Sequence, residues 1–303
     1  MERDKKIVAI CVATFKRPEL LHNCLSHIGR IIVPKNYSPI IIVVDNDADG
    51  SGEQSFYDAV KSIEIESYYY VESQRGISSA RNRLLKEAVA LNTNYVSFID
   101  DDEFPDDKWL VNNIEILKKH GADVIAGPVL PVKNKDKPKP SYSKKKLNDG
   151  DSPRHVACGN VFFSTKLVSE QNLWFDAKYN FIGGEDFDFF DRSLDLKNKH
   201  VWSSKSIIYE IIPDERTTKK YLFFRHFTGA INNVIQFKMK HTVLNSWIHF
   251  IIKSIGKILG SLYLAIAGVL TMNNAKLEKS IIKLASALGY MSGLLNIIVE
   301  RYR

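Results

Sequence analysis

Apolar runs of strand length alternate with helical repeats through the first half of this 303-residue chain, and polar or acidic residues close most of those runs. These observations predict an α/β protein, a mostly parallel sheet with helices on both faces. Consecutive strands joined through helices need crossover connections, and crossovers give parallel pairing.

Residues 7–13, IVAICVA, form the first expected strand. Pro18 follows within five residues and suits the first turn of a helix, because its missing N–H would be unpaired there anyway. Leu20, Leu21, Cys24, Leu25 and Ile28 then recur at helical spacing. Residues 40–44 are β-branched and read as the second strand, and residues 68–71 as the third. Ser78 or Ser79 is expected to cap the helix that holds Leu84, Leu85, Ala88 and Val89. Residues 95–99 and 124–126 give a fourth and a fifth strand. The run KNKDKPKPSYSKKK at 133–146 has seven lysines and two prolines and is expected to be a solvated loop.

Hydrophobic residues at 45% and charged residues at 25% exclude a disordered or collagen-like chain. Cys11, Cys24 and Cys158 are too widely spaced for a C-x-x-C motif, and three cysteines cannot all pair. The opening MERDKKIVAIC carries no long apolar run of the signal-peptide kind. Reduced thiols in a cytoplasmic protein are the expectation.

The formal charge of +7 hides an asymmetry. Residues 216–303 hold 13 Lys and Arg against 2 Asp and Glu, whereas residues 1–215 hold 29 basic and 33 acidic. Two domains are therefore expected, a body at 1–215 and a basic helical tail at 216–303. In the tail, Asn245, His249, Lys253, Lys257 and Ser261 recur every four residues, opposite Trp247, Ile248, Ile251, Ile252, Ile255, Ile258, Leu259 and Leu262. A second apolar stretch, 281–299, follows Lys276 and Lys279 and contains Lys283. Basic amphipathic helices lying in a membrane interface fit this pattern better than two spans. The apolar content is too high for a nucleic-acid-binding stripe, so no nucleic-acid partner is expected.

In an open parallel sheet, ligands bind beyond the carboxyl ends of the strands. The residues there are Thr14 and Arg17 after the first strand and Asp45-Asn46-Asp47 after the second. Gln74-Arg75-Gly76 follows the third, and Asp100-Asp101-Asp102-Glu103 the fourth. Successive carboxylates repel one another unless a cation neutralises them, and a hard divalent ion such as Mg²⁺ or Mn²⁺ suits oxygen donors. Asp45 is placed to accept a hydrogen bond from a base or ribose, or to close a turn. Arg75, Gly76 and Arg81 bring a glycine, a helix N-terminus and two guanidinium groups, which suit a diphosphate. Farther on, Gly183-Gly184-Glu185-Asp186-Phe187-Asp188 sets three carboxylates among aromatics, where partial desolvation can tune a general base.

Together these residues resemble the family 2 glycosyltransferases of the GT-A (Rossmann-like) fold, especially bacterial enzymes that build surface polysaccharides. The landmarks stand in family order over about residues 5–215. They are Ala13-Thr14-Phe15-Lys16-Arg17-Pro18, then Val43-Val44-Asp45-Asn46-Asp47, then Arg75-Gly76-Ile77-Ser78-Ser79-Ala80-Arg81-Asn82. The acidic run with Pro105 and Trp109 follows, and after it Gly159-Asn160-Val161-Phe162-Phe163 and Gly184-Glu185-Asp186-Phe187-Asp188.

The resemblance implies a nucleotide-sugar donor, most often a UDP-sugar, and transfer with inversion to a glycan or lipid-linked acceptor. By the same resemblance Thr14, Arg17 and Asp45 hold the nucleoside, with Asp45 reading the base. Arg75, Gly76 and Arg81 lie near the ribose and diphosphate, and Asp101 belongs to the donor-binding set. Asp100 is the ribose-side member of Asp-x-Asp and a metal ligand, Asp102 the principal ligand of Mn²⁺ or Mg²⁺, Asp186 the general base and Glu185 its acceptor-orienting neighbour. Glu210 and His226 are candidates for a further ligand. The basic tail would hold the enzyme to the inner face of the cell membrane as a peripheral, cytoplasmic protein. A nucleotidyltransferase or a non-catalytic sugar- or membrane-binding scaffold are the alternatives. The first calls for a glycine-rich phosphate loop after the first strand, where Thr-Phe-Lys-Arg-Pro-Glu stands instead. The second would tolerate loss of the acidic clusters, and all of them remain.

Overall fold

The computed structural model describes residues 5–132, 147–212 and 218–297; the lysine-rich run at 133–146 lies outside the described residues. The chain divides into two compact units, one of Met1–Asn180 with Glu185–Ile211, the other of Phe181–Gly184 with Ile212–Arg303.

The first unit is built on a seven-stranded sheet. In chain order its strands are β1 (Lys6–Thr14), β2 (Tyr37–Asp45), β3 (Glu66–Val71), β4 (Tyr95–Asp100), β6 (Val124–Ala126), β8 (Val161–Ser164) and β9 (His200–Trp202). Their order across the sheet is β3-β2-β1-β4-β8-β6-β9. β8 runs antiparallel to both neighbours, and every other pairing is parallel. Helices cover both faces, as the alternation of segments demands. Val8, Ile10 and Val12 point to the side packed by α1 (Pro18–Ile28), α2 (Glu53–Val60) and α4 (Trp109–His120). Ala9 and Cys11 point to the side packed by α3 (Ile77–Ala90), the short α5 (Lys166–Ser169) and α6 (Glu185–Asp195). Residues of β1 alternate between these two cores because strand side chains alternate faces.

A second, three-stranded sheet joins β5 (Glu103–Pro105), β10 (Ile208–Ile211) and β7 (Val129–Val132), in that order. It sets Glu103 directly opposite Glu210.

The second unit holds three helices, α7 (Lys219–Lys240), α8 (Val243–Leu270) and α9 (Asn274–Leu294). Ala230, Val234, Phe250, Tyr290 and Leu294 form its core. Thr218, Thr242 and Asn273 cap the three N-termini through their side-chain oxygens. Lys238 Nζ donates to the carbonyls of Gly293 and Leu294 at the far end of α9, which satisfies acceptors a helix end leaves unpaired.

α8 is built inside out. Its buried positions are Ser246, Phe250, Ser254, Ser261 and Gly268, while Ile252, Leu259, Leu262, Tyr263, Ile266 and Leu270 are each more than half exposed. Ser261 Oγ donates to the Ser280 carbonyl at 2.9 Å and Ser280 Oγ to the Ser261 carbonyl at 2.9 Å. The expected apolar stripe is present, and it is the face α8 leaves uncovered. Ser261, expected on the polar side, is instead in the seam with α9. By length and composition α8 is also long and apolar enough to cross a membrane.

Candidate active site

Four strands of one sheet deliver the expected polar residues to one end, and the structure shows what each then does. Thr14 ends β1 and Asp45 ends β2, in register with one another. Ala13 of β1 is in register with Asp100 at the end of β4.

Thr14 Oγ1 donates to Asp101 Oδ2 at 2.8 Å, and Arg17 Nη1 reaches Asp101 Oδ1 at 3.1 Å and Asp102 Oδ2 at 3.7 Å. Thr14 and Arg17 thus clamp the acidic loop. Burial pushes the Asp101 carboxyl up to about 6, against the opposing pull of Arg17 and Thr14. Burial likewise raises Asp100; Arg81 opposes the rise, and Asp102 and Asp186 add to it. Glu103, buried beneath the loop, accepts the Asp100 amide at 3.1 Å and is held well above the usual carboxylate range, chiefly by burial.

Asp45 is fully buried. Its Oδ1 accepts the Asp47 amide at 2.9 Å, and its Oδ2 accepts the Gly52 amide at 2.7 Å and the Tyr69 hydroxyl at 2.8 Å. Of the two roles its position allows, this geometry displays the closing of a turn. The neighbouring Asn46, which the sequence placed in the same cluster without a role of its own, braces the next connection. Its Nδ2 donates to the carbonyls of Glu72 and Gln74, and its Oδ1 accepts the Gly76 amide at 2.7 Å.

Gly76, at φ +133°, opens α3. A Cβ there would overlap the Asn180 side chain, so the position needs glycine both for its backbone and for space. The serines do not cap α3 as expected. Asn180, from 101 positions downstream, accepts the Ser79 amide through Oδ1 at 3.0 Å. Long-range partners of this kind leave no local pattern, so the sequence signals neither. Arg75 is exposed, its guanidinium 4.7 Å from the centre of the Phe15 ring.

Arg81 differs most from expectation. It is buried, and both of its bonds are to protein carboxylates: Nη1 to Glu185 Oε1, Nη2 to Asp100 Oδ1 at 3.3 Å. Its neighbourhood explains why a guanidinium is tolerated there, since two anions compensate its charge. Glu185 begins α6 and is itself buried; burial raises its carboxyl and Arg81 lowers it. Its Oε2 finds no hydrogen-bond donor among the described residues. Asp186 stands beside it in the first turn and accepts the Phe187 amide through Oδ1 at 2.8 Å. Asp188 is occupied elsewhere, by Tyr179 and Arg192.

Whether a divalent cation suits this loop is a question of donor chemistry. Asp100 and Asp102 are hard oxygen donors whose mutual repulsion a dication would relieve, so the residues fit. Among the described residues no group of three or more His, Cys, Asp and Glu is arranged to hold a metal, so water and substrate oxygens would complete its coordination. Glu210 lies across from Glu103. His226 lies on α7, in the second unit, where burial, Arg225 and Lys257 all lower its basicity.

The family model described as Glycosyl transferase family 2 matches residues 9–177, more than half of the chain. The protein is a family 2 glycosyltransferase. Among curated relatives this glycosyltransferase is 25% identical over 252 residues to the succinoglycan biosynthesis protein ExoM of Rhizobium meliloti, covering 79% of this chain and 78% of ExoM. Solved structures agree on the GT-A architecture. A mannosyltransferase from Pyrobaculum calidifontis, in complex with GDP-Man and Mn²⁺, aligns at TM-score 0.67 and 12% identity over 97% of this chain and 89% of its own. S. aureus TarS 1–349 in complex with UDP-GlcNAc aligns at 0.55 and 15% identity over 98% and 93%. In a longer TarS structure the likeness spans 39% of that chain.

Proposed function

We propose that this glycosyltransferase is an inverting, metal-dependent enzyme of surface-polysaccharide synthesis. It moves a sugar from a UDP-sugar to a glycan or lipid-linked acceptor, at the cytoplasmic face of a membrane. The observation that carries the reading is Arg81, whose one guanidinium bonds both Asp100 of the acidic loop and Glu185 of α6. In this reading the residues assigned to the leaving group and those assigned to the acceptor's proton are held together by that one side chain.

In this reading the Thr14, Arg17, Asp45 and Asp101 end of the sheet receives the nucleoside, with Asp45 shaping the turn against which the base lies. Arg75, beside the N-terminus of α3, receives the diphosphate, where the helix dipole favours an anion. Asp100 and Asp102 would hold Mn²⁺ or Mg²⁺, which when bound would offset charge developing on the departing diphosphate. Glu185, buried against Arg81, orients the acceptor indirectly, by fixing the first turn of α6 in which Asp186 stands. Asp186 takes the proton of the attacking hydroxyl as that oxygen approaches the anomeric carbon from the face opposite the leaving group. Carboxylates near the anomeric carbon also stabilise the oxocarbenium character of the transition state.

The tail supplies the membrane partner. The apolar face of α8 lies in the interface while Lys253 and Lys257 meet anionic headgroups. ExoM's role in succinoglycan biosynthesis supports the polysaccharide assignment, and the TarS complex supports a uridine donor. The GDP-Man complex of the Pyrobaculum neighbour makes guanosine the competing base.

A panel of UDP- and GDP-sugars incubated with the protein, Mn²⁺ and acceptor glycan decides. Release of UDP, with the opposite anomeric configuration in the product by NMR, is the expected result. GDP release would change the donor. Pyrophosphate release would replace the reaction by nucleotidyl transfer, and no release from any donor would leave a binding scaffold.

A further inference from the structure

We infer that Arg81 is a positioning residue whose guanidinium fixes the spacing between the Asp100 loop and the first turn of α6, rather than a ligand of the donor diphosphate. The inference rests on the reading above for what the two sides do, and on geometry alone for the bridge.

Four observations carry it. The Arg81 side chain is only 7% exposed, which leaves little of it for a substrate. Its two terminal nitrogens point to carboxylates from different elements, 19 and 104 residues away in sequence. The guanidinium also lies 6.0 Å from the Phe98 ring centre and 5.8 Å from that of Phe175, so its plane is held by cation–π contact. Phe98 belongs to β4, two residues before Asp100, so the strand that bears the loop also grips the bridge.

A planar fork can hold two anions at a fixed separation, whereas an ammonium is a point charge without that geometry. Without the bridge, Asp100 and Glu185 face one another uncompensated and move apart. Misplacement by about 1 Å near the chemistry can cost about 100-fold in rate. The loss should fall on turnover and leave donor affinity almost untouched.

Arg81→Gln, Glu185→Gln and the double variant are measured for transfer on the full chain. The expected result is a fall of about 100-fold in kcat for R81Q, with the donor KM within about threefold of the parent. Adding E185Q to R81Q should cost less than about threefold more, because residues that act as one unit are not additive. Arg81→Lys should restore only a minor part of the rate. Arg83→Gln, which removes a half-buried pair with Glu87 within α3, should leave both constants unchanged.

A donor KM raised tenfold or more with kcat kept would put the guanidinium on the diphosphate and overturn the inference. Losses that simply multiply would overturn it too. Should R81Q fail to fold, R81K with E185Q runs the same cycle. Hydrogen exchange provides a readout free of substrate. The amides of Phe189 and Phe190 should exchange faster in R81K while core amides of β1 and β2 do not change, and unchanged exchange in α6 refutes the bridge. A parent protein that transfers from no nucleotide sugar sinks the functional reading alone, since exchange still tests the bridge.

Discussion

Asn46 and Gly76 are joined by a 2.7 Å hydrogen bond, from the Gly76 amide to Asn46 Oδ1, and the same side chain donates to two carbonyls of the loop that precedes Gly76. One amide group therefore sets the path of the chain from β3 into α3.

Asn46→Asp keeps the acceptor and loses both donors, and Asn46→Ala loses all three bonds. With about 1 kcal/mol net per buried hydrogen bond, and more where a partner is left unpaired, N46A should lose about 3 kcal/mol of stability in urea unfolding. N46D should lose about 2 kcal/mol, and both should weaken UDP binding by calorimetry. Unchanged stability in either variant would show that the loop holds itself.

Asp186→Asn should lower kcat by roughly 10²–10⁴-fold, the usual worth of a positioned general base, with little change in melting temperature. Glu185→Gln should cost less, since Glu185 acts through its pairing with Arg81 rather than on the reacting hydroxyl. Steady-state release of nucleoside diphosphate in the presence of acceptor reads both. The reverse ranking would exchange the two roles.

Chelation with EDTA should abolish transfer, and Mn²⁺ or Mg²⁺ should restore it. In Asp102→Asn the concentration of Mn²⁺ giving half-maximal rate should rise at least about tenfold, because a carboxylate ligand becomes a neutral amide. Full activity in EDTA would show that protein cations alone neutralise the leaving group.

His200, on β9, is a pH-sensitive element of the fold away from the chemistry. Burial pushes its pKa from the ordinary 6.5 down to about 4, with Ser193 Oγ 3.0 Å from Nε2. The unfolded chain then binds the proton more tightly than the folded one. The stability that neutral His200 allows is fully present above about pH 6.5 and is lost as pH falls toward 4, to a limit of about 3 kcal/mol. Chemical denaturation at pH 7 and pH 4.5 should show this slope in the parent and a smaller one in His200→Gln.

Lys253→Gln with Lys257→Gln should weaken sedimentation with anionic vesicles by roughly thirtyfold, at about 1 kcal/mol per basic residue near the surface. Neutral vesicles should show little difference between parent and variant. Equal binding to both vesicle types would remove the headgroup contribution.

Much of this arrangement was legible in the chain. The run at 124–126 is β6 to the residue, and β1, β2 and β4 extend the expected runs by only one to three residues at an end. Strong periodicity and Pro18 made those segments plain. The three-stranded sheet was not foreseen, because its strands have three or four residues and two of them contain Pro105 or Pro131, too short for alternation to register. The reversed β8 was equally hidden, since a strand carries no mark of its direction. At the site, residue types at strand ends marked the right loops, but a charged residue gives no local sign of burial. Arg81 was expected beside the donor's ribose and diphosphate, and only its distant partners, Asp100 and Glu185, reveal why it is inside.

The serine-lined seam between α8 and α9 turns the ordinary rule for a soluble helix around. Replacing Ser261 by leucine adds hydrocarbon where hydroxyls now cross-link two backbones, and should pry the pair apart. Replacing Ile252, Leu259 or Ile266 by serine removes hydrocarbon that holds nothing together, and should leave the helices paired. Aggregation in dilute buffer and thermal stability would then answer to different residues of the same helix, and each could be altered without the other.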